Sequence, residues 1–150
     1  MKTILLGLIF TFLSLNCISV SSDKDRDSSE RQDYPLGIRN ITVVVEDGDR
    51  VSMAVIEFNR TIKNKGLSKD SFEVEGYEAT RIYANNNGDK DSEGKDGNYI
   101  IIELNKNKGK SFSEDSKLRI IQKEAVIFSN GERYRILDKV LISNRTLLKY

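Results

Sequence analysis

Residues 38–58 read IRNITVVVEDGDRVSMAVIEF, and this stretch decides the fold class. Two runs rich in β-branched residues flank Glu46-Asp47-Gly48-Asp49. Asp-Gly readily takes positive φ, so the segment predicts a tight hairpin. In the first run, Ile41, Val43 and Val45 alternate with Thr42 and Val44. In the second, Arg50 to Asn59, the residues Val51, Met53 and Val55 alternate with Ala54, Ile56 and Phe58. Successive side chains of a strand point to opposite faces. If Ala54, Ile56 and Phe58 face the core, Val51, Met53 and Val55 face away from it. An apolar outer face is costly to leave in water, so these three residues are a candidate interface. The competing reading is that a loop or the chain's own C-terminal segment covers them.

Downstream, short apolar runs recur between Gly, Asn and Asp clusters. Leu67 to Glu75 predicts a third segment, with Ser68 placed to cap a single helical turn before Phe72-Glu73-Val74 extends. Ala79 to Ala84 predicts a fourth strand. Asn98 to Leu104, NYIIIEL, predicts a fifth, central and buried on both faces. Leu118 to Phe128 and Tyr134 to Ile142 supply two or three more. No stretch sustains a helical period with caps. Short, regularly spaced strands indicate an all-β, antiparallel β-sandwich. The expected core includes Ile41, Val43, Ile56, Phe58, Phe72, Ile82, Ile101, Ile120 and Ile127.

Outward from this domain, the N-terminus reads MKTILLGLIFTFLSLNC over residues 1–17. One basic residue precedes a short apolar run and then small or polar residues, the layout of an export signal. Residues 1–16 are expected to be that signal. Ser14-Leu15-Asn16-Cys17 resembles a loose bacterial lipobox, with Asn16 where a small residue is usual. On this reading Cys17 is lipidated and anchors the chain in the cell envelope. On the other, a peptidase cuts between Ser19 and Ser22 and the chain is secreted. Residues 17–35 are charged, serine-rich and poor in apolar groups, which predicts a flexible tether. The β-sandwich is expected over 36–143.

Composition removes several functions. The chain has no histidine and one cysteine, so Ser-His-Asp and Cys-His catalysis lack their base. A zinc site lacks its commonest ligands, and no cofactor is expected. A single cysteine also rules out an intramolecular disulfide, leaving burial to hold the domain together. The 24 Lys and Arg balance 23 Asp and Glu, so general nucleic-acid binding is disfavoured.

The loop Asn85 to Gly97, NNNGDKDSEGKDG, is the best candidate for chemistry. Asp89, Asp91 and Glu93 are spaced two apart, and Gly94 follows, as at the start of an EF-hand. The bidentate glutamate of that motif falls on Ile100, inside a strand, so a solvated loop is the favoured reading. Ser111, Ser113 and Ser116 lack a G-x-S-x-G elbow. Tyr77, Tyr83, Tyr99 and Tyr134 are available as a stacking platform for sugars, although strand tyrosines are more often packed.

Three stretches together carry a family resemblance. They are Val51 to Asn59 with Ile62 and Leu67 to Val74, then Arg81 to Asn85, then Gly94 to Leu104. They resemble the N-terminal immunoglobulin-like domain of secreted bacterial esterases. Asp96-Gly97-Asn98-Tyr99 before an apolar strand is the most specific of these matches. The resemblance implies an Ig-like sandwich that precedes an α/β-hydrolase catalytic domain. It implies that residues 144–150 are the stub of a linker or the first strand of a missing hydrolase domain. The family's nucleophile elbow, oxyanion loop and histidine have no counterpart here, so no catalytic residue carries over. A non-catalytic accessory domain, partnered by a hydrolase domain and by the membrane through a lipid anchor, is the expected function. The alternative is a stand-alone surface lipoprotein that binds a glycan or protein through its loops.

Overall fold

The predicted hairpin pairs β1 (Ile38–Glu46) with β2 (Arg50–Ile62), from Ile38↔Phe58 to Glu46↔Arg50, with register shifts between Ile38 and Asn40 and between Val44 and Val45. Its turn places Asp47, Gly48 and Asp49 at φ of 47°, 66° and 71°. These are residue types that tolerate left-handed backbone. The computed structural model describes residues 37–113, 116–135, 140–142 and 145–148. The further strands are β3 (Phe72–Val74), β4 (Ala79–Asn85), β5 (Gly97–Leu104), β6 (Arg119–Gln122), β7 (Val126–Ile127), β8 (Arg133–Tyr134), β9 (Val140–Ile142) and β10 (Arg145–Leu148). One five-stranded sheet has the order β10-β1-β2-β5-β4, a second the order β3-β6-β9, and β7 pairs with β8. This is an all-β sandwich.

Cross-strand register builds the inner face of the large sheet in rows. Ile41, Ile56, Ile100 and Ala84 form one row; Val43, Ala54, Ile102 and Ile82 form the next. Opposite them pack Phe72, Val74, Leu118, Ile120, Val126 and Phe128, all buried. Small Ala54 and Ala84 stand among large neighbours, which lets the layers interdigitate at interior packing density. At one end, Phe58 meets Phe128 and Tyr134 edge-on, with centroids 6.1 and 6.0 Å away. Buried Gln122 donates at 2.8 Å to the carbonyls of Glu124 and Tyr134, tying β6 to β8.

Three expectations are corrected. Val51 faces the main core with Val45, not the outer face with Met53 and Val55. Val44 opposes Met53 while Val45 opposes Val51, so Ser52 is an extra, bulged residue. A bulge resets the alternation and turns the next side chain over. Ile127 is half-buried rather than core, because Val126 and Phe128 point inward and a period of 2 sends Ile127 the other way. It packs toward Gly66 in a 3-10 turn at Asn64–Gly66. That turn precedes Ser68, which heads a single turn closed by the Ser71 amide on its carbonyl, with its hydroxyl accepting from the Asp70 amide as a cap does. Finally, Arg145–Leu148 is not outside the sandwich. It is β10, the edge of the large sheet, and it runs parallel to β1 through Thr42↔Arg145 to Val45↔Leu148. The other strand pairs among the described residues are antiparallel, as expected.

Candidate interaction surface

The outer face of the large sheet is also apolar. Val44, Met53, Val55, Tyr83 and Ile101 form a second buried cluster, with Tyr99 against it. Ile101 is therefore core, as expected, but on this face rather than between the sheets. Register lines up Val55, Ile101 and Tyr83 across β2, β5 and β4. Met53 and Val55 are each only 5% exposed, so they offer little open apolar surface in this conformation.

The β4–β5 loop lies over part of this face. Gly88 comes close enough that a Cβ on it would sit 3.7 Å from Val55 and 3.8 Å from the Tyr99 ring. The Asp91 amide donates to the Tyr83 hydroxyl at 3.0 Å. That hydroxyl donates to Oε1 of Glu103 at 2.9 Å. Arg81 stacks 4.5 Å over the Tyr83 ring, reaches the carbonyls of Asp91 and Ser92 at 3.1 and 3.0 Å, and pairs with Glu103 at 3.2 Å. Lys90 adds a second cation on Glu103 at 3.1 Å. Burial raises the Tyr83 phenol above its ordinary pKa, which keeps it protonated and a donor.

Both ends of the loop are anchored. The Asn85 side chain, 1% exposed, bonds Asn87 and the Asp89 carbonyl and accepts from the Asn86 amide. At the far end the Asn64 amide donates to Asp96 at 2.8 Å, and the Asn64 side chain accepts from the Ala84 amide at 2.8 Å. The loop is solvated as expected, but it is also fixed.

The other candidates are dispersed. Asp91 accepts from Lys95 at 3.1 Å, and this contact draws its carboxyl below the ordinary range. Among the described residues no three of Asp, Glu, His or Cys gather as a metal set. Ser113 and Ser116 bond each other in a turn at 2.9 Å. Tyr77 lies on Gly109 and donates to the Lys110 carbonyl, Tyr134 joins the Phe58 cluster, and Tyr83 is buried, so the tyrosines form no shared platform. Cys17 lies outside the described residues. Sequence reasoning missed Arg81, Lys90 and Glu103. The signal was a lone acid in NYIIIEL, sharing its face with Tyr99 and Ile101; its partners depend on register.

The family model for the esterase Ig-like N-terminal domain matches residues 37–135. The chain belongs to this family. Among solved structures, a chain described as "Crystal Structure of a Thermostable Esterase" is similar to this Ig-like domain, with a TM-score of 0.63 and 19% identity. The alignment covers 73% of this chain and 35% of that one, and at that identity the likeness shows the fold. No curated protein matches the chain. The protein is thus an esterase-associated Ig-like domain.

Proposed function

We propose that this Ig-like domain is a non-catalytic accessory module of an exported, esterase-like α/β hydrolase, and that it packs against and positions the catalytic domain. The family match over residues 37–135 carries this reading. The lack of any histidine supports it, since a serine esterase needs a general base beside its nucleophile. The module acts through surface complementarity. A partner that binds only the folded hydrolase raises its stability by mass action. A family hydrolase domain expressed without its own Ig-like domain is therefore expected to melt at least about 2 °C higher with this chain in excess. An unchanged melting temperature, with no co-elution, would sink the proposal.

Two further outcomes follow. The purified chain is expected to cleave nitrophenyl esters no faster than buffer does. Turnover that a serine-directed inhibitor abolishes would overturn the non-catalytic reading. Cys17 is proposed as the lipidated residue that holds the module at the cell envelope, from its place as the sole cysteine after the apolar run. Mass spectrometry of membrane-extracted protein should find a diacylglyceryl adduct on it. A mature N-terminus beyond Cys17 would refute the anchor.

A further inference from the structure

The chain contains two Asn-Gly steps, Asn87-Gly88 in the β4–β5 loop and Asn130-Gly131 in the turn between β7 and β8. An asparagine before glycine is prone to lose its side-chain amide, because no Cβ hinders the glycine nitrogen as it attacks the asparagine Cγ. That nitrogen must first shed its proton, as in amide hydrogen exchange, so a hydrogen bond on the N–H protects the site. Negative charge then develops on Oδ1, and donors already aimed at Oδ1 favour the step. The two sites differ in these respects. The Gly131 amide donates to the Phe128 carbonyl at 2.8 Å. Asn130 Nδ2, the group that has to leave, donates to Glu132, and Asn130 Oδ1 accepts from the Glu132 amide alone. At the other step, neither the Gly88 amide nor Asn87 Nδ2 makes a hydrogen bond among the described residues. Asn87 Oδ1 accepts from Asn85 Nδ2 at 2.9 Å and from the Asp89 amide at 3.3 Å. Asn85 is 1% exposed, and its own Oδ1 accepts from the Asn86 amide at 2.9 Å, so it presents Nδ2 from a fixed base. The two backbone donors fix which way both side-chain amides point. Asn87 itself is exposed, so water reaches it.

We propose that Asn87 is a site of spontaneous deamidation in the folded domain, and that the fold protects Asn130 from the same reaction. Hydroxide removes the Gly88 amide proton, and the nitrogen bonds to Asn87 Cγ. The charge that gathers on Oδ1 is met by Asn85 Nδ2 and the Asp89 amide. The Cγ–Nδ2 bond then breaks, Nδ2 takes a proton from water and departs as ammonia, and a cyclic imide remains. Water adds to either imide carbonyl and opens the ring. One product is aspartate at position 87. The other is isoaspartate, in which the main chain runs through the former side chain. Isoaspartate lengthens the chain by a methylene between the Asn85 anchor and Gly88, the residue seated against Val55 and Tyr99. Either product adds negative charge to a stretch that already carries Asp89 and Asp91.

Peptide mapping by mass spectrometry, on the full chain held in mildly alkaline buffer, tests this. The Asn87 peptide is expected to gain the mass of an amide turned to an acid, as an aspartate and isoaspartate pair, about tenfold faster than the Asn130 peptide. In urea, with the fold gone, the two rates are expected to converge to within about threefold. Asn85→Asp keeps the acceptor for the Asn86 amide and removes the Nδ2 donor; it is expected to slow conversion of Asn87 by about threefold or more. Conversion at Asn130 as fast as at Asn87 in the folded chain would overturn the proposal. So would a difference that is as large in urea, since local sequence and not structure would then set it. An unchanged or faster rate in Asn85→Asp would overturn the part assigned to Asn85. If that variant fails to fold, the comparison of the two sites in the parent still decides the matter.

Discussion

Phe58→Ala is expected to lower unfolding free energy by about 3–5 kcal/mol, the largest loss of any single truncation in the domain. Phe58 has no exposed surface and meets Phe128 and Tyr134 edge-on. It also stands where β2 reaches the end of the hairpin, opposite Ile38. Removing the ring forfeits its transfer free energy and two aromatic contacts, and leaves a hole lined by rings too rigid to close it. Domains of this size are stable by about 5–15 kcal/mol, so the variant would sit near the edge of folding. No disulfide offsets the loss, because the chain has a single cysteine. Urea unfolding followed by circular dichroism measures the effect. A loss under about 1 kcal/mol would mean that Phe128 and Tyr134 collapse into the space.

Gly97→Ala is expected to destabilise by about 1–3 kcal/mol or more, although it adds one methyl group. A Cβ at Gly97 would collide with the carbonyl of Asn85 and the amide nitrogen of Asn86. These are backbone atoms, so no rotamer change relieves the clash. Gly97 opens β5 opposite Ile62, and Asn85 pairs with Tyr99 two residues on. The strain therefore falls where β2, β4 and β5 converge, at the root of the loop. Gly88→Ala is the control: its new methyl would meet Val55 and Tyr99 at ordinary contact distance, and a change within about 0.5 kcal/mol is expected. Equal urea midpoints for the two variants would show that the close approach at Gly97 imposes no constraint.

The fold was legible because its strands follow strict local rules. Asp47-Gly48 marks the hairpin, and period-2 alternation assigns Ile41, Val43, Ile56 and Phe58 to the inner face without tertiary information. What failed depended on pairing between distant residues. The bulge at Ser52 has no signature in the run VSMAVIEF, yet it moves Val51 from one face to the other. Ile127 was misplaced because a two-residue strand gives too short a window for alternation. The loop cluster was half visible. Its glycines and asparagines marked an unusual connection, and Glu103 stood out among apolar neighbours. Only register brings Arg81 opposite Glu103, and register is a property of the assembled sheet. The family resemblance identified the domain but said nothing of this cluster.

The parallel edge pair has a mechanical consequence. β1 and β10 lie side by side and run in the same direction, in register at four positions. Tension applied to the backbone before β1 and after β10 draws the two strands past each other lengthwise. All four registered positions then bear load at once, whereas a hairpin pulled from its open end would unzip rung by rung. The sheet edge is thus a shear clamp, placed where traction along the polypeptide would first be felt.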